Sequence, residues 1–412
     1  MKVNKIMAVL FLSLVLIFAL VFFNKQEPTV KIEVLGDPLL SRYDTGELIY
    51  ARNVWDLQLY KNKIYIGTGN SSNIGPAVNS GPVPLFSYDL QNGVFKEEFT
   101  VDDDQIDMIV LFGDSIYIPG HDPKESWELG NYYKIENGEW KKVRNIPGGI
   151  HNYSMVIYKD RMFAGLGLTI TEKSYAVVVS SDRGKSWERK TLENCFRIYS
   201  FLIVDDVLYA IGIMPSEGFR AHVKSKRDVR LANGIYQYDS EKGVFITRDD
   251  LSYKVLFPDT AIDTSLSKKI VRPTSVDNKS IYIGAYIHND HQNIPIGLYV
   301  AEKLDGNVEK VSKVELPEGY LPWDIIHRSD MTYVLLNKKI NEEKYTTMVY
   351  ASNDLERWER VLEFNYTTFS RSFETMNNEY YFGLGCEIQN PQEWSEKELR
   401  KETGTILKVT KE

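Results

Sequence analysis

Cysteine is nearly absent from this sequence. The 412 residues include two, Cys195 and Cys386, too few for a disulfide framework and without the Cys-x-x-Cys spacing of a metal site. Both are expected to be buried free thiols, because an unpaired cysteine behaves as a small core residue. Positive charge is not in excess either. Lys and Arg number 49 against 57 Asp and Glu, for a net charge of −8. That balance argues against nucleic acid or an anionic lipid surface as the main partner, since both reward basic patches. GxSxG, HExxH, a phosphate-binding glycine loop and a dinucleotide fingerprint are all missing, which removes the signatures of the common hydrolases, zinc proteases and nucleotide binders. The sequons at Asn70, Asn152, Asn278 and Asn365 are about what chance would give and carry no weight.

Long apolar runs are also scarce, with one exception. Lys2 and Lys5 precede an uninterrupted apolar stretch from Ile6 to Phe23, which as a helix would span about 27 Å, close to the hydrocarbon thickness of a bilayer. It is longer than a usual signal-peptide core, no small-x-small cleavage site follows, and no lipoprotein cysteine follows. The flanking lysines favour an N-terminus inside. The expected layout is a cytoplasmic N-terminus (1–5), a transmembrane signal anchor (6–23), a linker (24–29) and an extracytoplasmic domain (30–412). The expected location is the cell membrane, single-pass; a cleaved signal peptide is the alternative.

What is abundant is aromatic and strand-like, with 26 Tyr and 18 Phe. One pattern returns about every 50 residues. An alternating apolar segment meets a two-residue polar turn, then a second apolar segment that ends in glycine, as in Trp55–Tyr60, Lys61-Asn62 and Ile64–Gly67. The same shape recurs with turns at Gly113-Asp114, Lys159-Asp160, Asp205-Asp206, Asn278-Lys279, Ser329-Asp330 and Asn377-Asn378. A second hairpin follows each of the first six, turning for example at Gln91-Asn92-Gly93 and Glu241-Lys242-Gly243. Two hairpins make a four-stranded propeller blade. The fold class is therefore all-β, a β-propeller of seven four-stranded blades preceded by one transmembrane helix, with six or eight blades as alternatives. The last unit lacks an outer strand, which an N-terminal segment within Val30–Val34 or Leu48–Arg52 would supply, closing the ring and removing two sheet edges.

Ser180-Ser181-Asp182-Arg183-Gly184-Lys185-Ser186-Trp187 resembles the Asp box of sialidase-like (BNR) propellers. Ser352-Asn353-Asp354-Leu355-Glu356-Arg357-Trp358 resembles a degenerate copy, one residue short and without the glycine. In that family the motif is a turn between third and fourth strands, so the resemblance implies fold and says little about activity. The catalytic sialidase pattern does not carry over. The nearest segment to its F/Y-R-I-P motif, Phe196-Arg197-Ile198-Tyr199, lies mid-chain and lacks the proline, and sialidases have six blades.

In a propeller one rim takes the tight turns and the other takes the longer links. Here the long segments 69–83, 119–130, 214–232, 286–295 and 384–402 share one rim, the usual binding face of a repeat protein. Aligning the inner strands brings Trp55-Asp56, Tyr153-Ser154, Tyr199-Ser200, Arg272-Pro273, Trp323-Asp324 and Arg371-Ser372 to one level, with Asp107 at the second blade. The candidate ligand-binding residues are Trp55, Trp127, His151, Tyr153, Arg197, Tyr199, Arg272, Trp323 and Arg371. Candidate catalytic residues are Asp56, Asp107, His121, Asp122 and Asp324. Each has a plainer reading: aromatics plugging the channel, aspartates bonding neighbouring strand-start amides, arginines capping loop carbonyls.

No metal site and no cofactor is implied, and calcium is left open without a residue signature to indicate it. Three functions fit the pattern. The first is binding of a glycan or other acidic small ligand on the loop-rich rim. The second is a sialidase-like glycosidase or lyase, and the third a protein-interaction scaffold for an envelope protein. The membrane partner is the N-terminal helix alone, and nucleic acid is not expected.

Overall fold

Tight turns set the architecture. Lys61-Asn62, Lys159-Asp160, Asp205-Asp206, Ser329-Asp330 and Asn377-Asn378 all have positive φ at both residues. That is type I′ geometry, whose twist matches paired antiparallel strands. In the computed structural model, these turns join the inner two strands of successive four-stranded sheets, of which there are seven. The structure describes residues 29–71, 80–121, 125–126, 128–167, 175–192, 195, 197–214, 234–288, 292–305, 308–386 and 400–412. Within them no helix is long and apolar enough to cross a membrane; the Ile6–Phe23 run lies outside the described residues.

The first blade comprises β2 (Asp56–Tyr60), β3 (Lys63–Gly67), β4 (Val83–Asp89) and β5 (Val94–Val101). The second is β6 (Val110–Phe112), β7 (Ser115–Pro119), β8 (Leu129–Glu136) and β9 (Glu139–Pro147). The third is β10 (His151–Tyr158), β11 (Arg161–Gly167), β12 (Val177–Ser180) and β13 (Glu188–Lys190), and the fourth is β14 (Ile198–Val204), β15 (Val207–Gly212), β16 (Ile235–Asp239) and β17 (Val244–Thr247). The fifth is β18 (Ser267–Val276), β19 (Lys279–His288), β20 (Gln292–Asp305) and β21 (Val308–Lys313). The sixth is β22 (Leu321–Arg328), β23 (Met331–Asn341), β24 (Lys344–Ser352) and β25 (Glu359–Tyr366). The seventh runs β26 (Phe369–Met376), β27 (Glu379–Gly385) and β28 (Ile406–Lys411), and β1 (Val30–Gly36) completes it from the other end of the chain.

Of the two segments considered for closure, the first does the pairing. Val30 lies opposite Lys411 and Val34 opposite Leu407, whereas Gly46–Arg52 is a 3-10 helix. The helix still serves the junction: the buried Arg52 guanidinium meets Asp37 and also donates to the Lys401 carbonyl at 3.2 Å.

Two expectations need correction. The fifth inner turn is Asp277-Asn278, with Asp277 at φ 53°, one residue earlier than the sequence reading placed it. The segment 286–295 is not simply a loop, because β19 and β20 continue as a hairpin through Ile287 opposite Asn293 to His288 opposite Gln292.

The blades pack face to face through aromatic layers. Between the third and fourth, Phe163 sits edge-on to Tyr238 with ring centroids 5.0 Å apart, and Phe201 and Phe245 pack around it. The turn at Ser180–Trp187 joins β12 to β13. Buried Ser180 Oγ accepts from the Gly184 amide at 2.7 Å, and Asp182 accepts from the Ser186 amide at 2.9 Å and its hydroxyl at 2.6 Å. Arg183 and Gly184 both take positive φ. At Ser352–Trp358 the missing glycine is replaced by Leu355 at φ 62°, while Asp354 accepts from the amides of Glu356 and Arg357 at 2.9 Å each. Cys195 and Cys386 are free and buried.

Candidate functional site

The inner strands line the channel, and their register decides which side chains enter it. Six residues before each inner turn stand Trp55, Asp107, Tyr153, Tyr199, Val271, Trp323 and Arg371. In the third, fourth, sixth and seventh blades this residue is the extra one at a β-bulge. Pairing skips Tyr153 between Asn152 and Ser154, and likewise Tyr199, Trp323 and Arg371. A bulge re-aims a side chain and unpairs its backbone. Two residues nearer the loop-rich rim, on the same face by alternation, come His151, Arg197 and Lys269. The site is therefore a pair of stacked rings.

One arc of these rings is continuous. The His121 and His151 rings lie 5.5 Å apart, His151 stacks on Tyr153 at 5.1 Å, and Tyr153 meets Tyr199 at 4.4 Å. Lys269 Nζ then sits 4.7 Å over the Tyr199 ring, while Arg197 Nη1 donates to the Tyr199 hydroxyl at 3.0 Å. Backbone bridges between His121 and His151, and between Gly167 and Arg197, tie the arc together across three blades. Gly167 makes the stacking fit, since a Cβ there would come 2.7 Å from His151 Cδ2 and 2.8 Å from Tyr153 Cε2.

Opposite the arc, aromatic faces are already occupied. The Arg371 guanidinium lies 3.9 Å over Trp55 and 5.6 Å from the Trp323 centroid. Trp55 is buried and donates its indole N–H to the Gly69 carbonyl at 2.7 Å, and Trp323 meets Phe369 edge-on at 4.6 Å. These two tryptophans wall the channel around Arg371 and are not open platforms.

Arg272 stands one step deeper than its expected level, because the turn after it lies one residue earlier. Its φ is +50°, and the turned backbone sends the guanidinium across the channel. Nη1 bonds Asp56 Oδ1 at 3.1 Å, Nε meets Asp324 Oδ1 at 3.2 Å, and Nη2 donates to the Trp55 carbonyl. The other carboxylate oxygens take strand amides of the next blade. Asp56 Oδ2 accepts from Ile109 N at 2.6 Å and Asp324 Oδ2 from Phe373 N at 3.1 Å. The candidate catalytic aspartates Asp56 and Asp324 are thus fully engaged as inter-blade staples. Burial pushes Asp56 up to about 7 against the pull of Arg272, and pushes Asp324 upward in the same way.

Charge above this staple is unevenly matched. Asp107 accepts from Gln105 at 3.2 Å and faces Lys269, Arg272 and Arg371. Among the described residues no carboxylate comes within ion-pair distance of Lys269 or Arg371. Burial, with Arg197 and Arg371 adding repulsion and Asp107 opposing, brings Lys269 down to about 8. Burial likewise draws Arg371 down to about 10, still charged at neutral pH. Sequence reasoning missed Lys269. It stands eight residues before its turn, as His151 and Arg197 do, and the misplaced fifth turn hid that alignment. Asp122 and Trp127 lie outside the described residues. A depression of about 400 Å³ lined by Asn341, Lys344 and Tyr366 lies on the rim of the sixth blade, away from this cluster.

These blades, closed around a cation-lined channel by strands from both ends of the chain, make the protein a β-propeller. No family model and no curated protein matches it. Among solved structures it is similar to the hydrazine synthase of Kuenenia stuttgartiensis, with 9% identity, a TM-score of 0.49 and coverage of 81% of this chain and 93% of that one. It is also similar to the β-propeller domain of the Trilobed protease from Pyrococcus furiosus, with 11% identity, a TM-score of 0.40 and coverage of 74% and 83%. The likeness is one of general fold.

Proposed function

We propose that this chain is an extracytoplasmic binding propeller, tethered by Ile6–Phe23, whose channel mouth takes an anionic ligand of the carboxylated or sulfated glycan class. The carrying observation is the arc from His121 to Lys269, an aromatic surface edged by Arg197 and Lys269 with Arg371 across the channel. Sugar rings offer C–H faces to aromatics, and arginine binds carboxylate or sulfate through charge-assisted hydrogen bonds. Bonding in the Ser180–Trp187 turn supports kinship with the Asp-box propellers. A glycosidase or lyase reading has less support. Hydrolysis needs a pair of carboxyl groups flanking a cleft, and Asp56 and Asp324 are committed to Arg272 and strand amides.

A glycan array probed with the soluble domain, followed by calorimetry on the best acidic hit, tests this. Arg197→Ala should weaken binding at least tenfold, as expected for a charge-assisted bond of about 1.5–3 kcal/mol. Gly167→Ala should do the same by displacing the His151 and Tyr153 rings. An array answered only by neutral sugars, or affinities indifferent to both changes, would reject the proposal.

A further inference from the structure

A binding role leaves the chemistry of Lys269 unused. Alternation along β18 buries Lys268, whose ammonium lies over Tyr253, and turns Lys269 to the channel. Across the β18–β19 pair its neighbour is Ala285, so no large side chain covers it from that strand. The charged groups facing its ammonium are Asp107, Arg197 and Arg371, with Tyr199 as the aromatic wall. A half-buried lysine beside other cations, without a carboxylate in ion-pair contact, holds its proton weakly. Lys269 is brought down to about 8, so a larger share of it is free amine at neutral pH than of an ordinary lysine.

We propose that Lys269 is a nucleophilic amine that captures the carbonyl carbon of a small oxo acid at the channel mouth as a reversible imine. This rests on the reading of the mouth as an anion site, because the guanidinium groups of Arg197 and Arg371 receive the carboxylate. The Nζ lone pair forms the C–N bond while the carbonyl π pair moves to oxygen, which takes a proton. Transfer of a second proton from nitrogen to that oxygen then releases one water and leaves the protonated imine. Nothing is oxidised or reduced, and the one proton the adduct gains comes from solvent.

The test uses the wild-type full chain, incubated with pyruvate and cyanoborohydride, which fixes an imine by hydride addition to its carbon. Peptide mass spectrometry then locates the reduced adduct. Lys269 should be modified at least tenfold faster than the exposed Lys61 and Lys242, whose partners hold their protons more tightly. Labelling of Lys269 should rise from pH 6 to pH 8 and then level off, whereas that of Lys61 and Lys242 goes on rising, so the preference is greatest below pH 8. Adducts spread over exposed lysines with no preference for Lys269 overturn the proposal. Glucuronate locked as its methyl glycoside, an anion with no carbonyl open to an amine, separates the two ideas. Protection of Lys269 by glucuronate supports both. Labelling that glucuronate leaves unchanged keeps the amine chemistry and rejects the glycan site. Glucuronate binding by calorimetry without any Lys269 adduct keeps the site and rejects the amine chemistry.

Discussion

Arg272 of the fifth blade reaches across the channel to Asp56 of the first, Nη1 to Oδ1 at 3.1 Å. The same guanidinium holds Asp324 of the sixth blade. One side chain therefore joins blades that share no sheet edge, at a level deeper than the aromatic arc.

That cross-brace carries a pH signature. A carboxyl raised by burial favours the folded state while protonated. Its contribution is full below the unfolded value near 4 and lost as pH rises through about 7 for Asp56. Arg272 opposes this loss by stabilising both carboxylates. Arg272→Met should cost about 3 kcal/mol at pH 8, the low end for a broken buried pair because 18% of the arginine side chain stays exposed. At pH 5 the cost should be much smaller, since the aspartates can take up protons. Urea unfolding at the two pH values measures it, and equal losses would refute the assignment.

In the Ser180–Trp187 turn the buried partner is the serine. Ser180 is 1% exposed and its Oγ accepts from the Gly184 amide, whereas the Asp182 bonds to Ser186 are exposed. Ser180→Ala should lower stability by about 1–3 kcal/mol through the orphaned amide. Ligand affinity, read well below the melting transition, should not change.

Ring closure predicts a sharp boundary in truncation. A chain beginning at Thr29 keeps β1 and the amide of Glu412 bonded to the Thr29 carbonyl at 2.8 Å, and should stay soluble. One beginning at Asp37 exposes the β28 edge and should aggregate. Light scattering on the two distinguishes them, and equal solubility would contradict closure by β1.

The blades were legible because each inner hairpin turns on residues that tolerate positive φ, such as Asn377-Asn378, between strands of period two. Bulges were not. A one-residue insertion at Tyr153 or Arg371 leaves the alternation nearly intact in sequence, yet redirects the side chain. The fifth blade shows the sensitivity. A turn placed one residue late, at Asn278-Lys279, puts Arg272 at the ligand level and conceals Lys269. Long-range pairing was equally invisible: nothing near Trp55 announces that Arg371, from the far end of the chain, will lie on its ring. For Asp56 and Asp324 the plainer expectation, bonding to the next blade's amides, describes their contacts.

The direction of β1 has a geometric consequence. Val30 pairs with Lys411 and Gly36 with Ile406, and β28 runs from the loop-rich rim toward the tight turns. β1 therefore enters at the tight-turn rim. With the proposed anchor ending at Phe23, the intervening six residues reach about 20 Å at full extension. The propeller would sit close to the bilayer with its tight-turn rim toward it and its loop-rich rim outward. On that proposed arrangement the loop-rich rim would face away from the headgroups of the membrane that holds the chain.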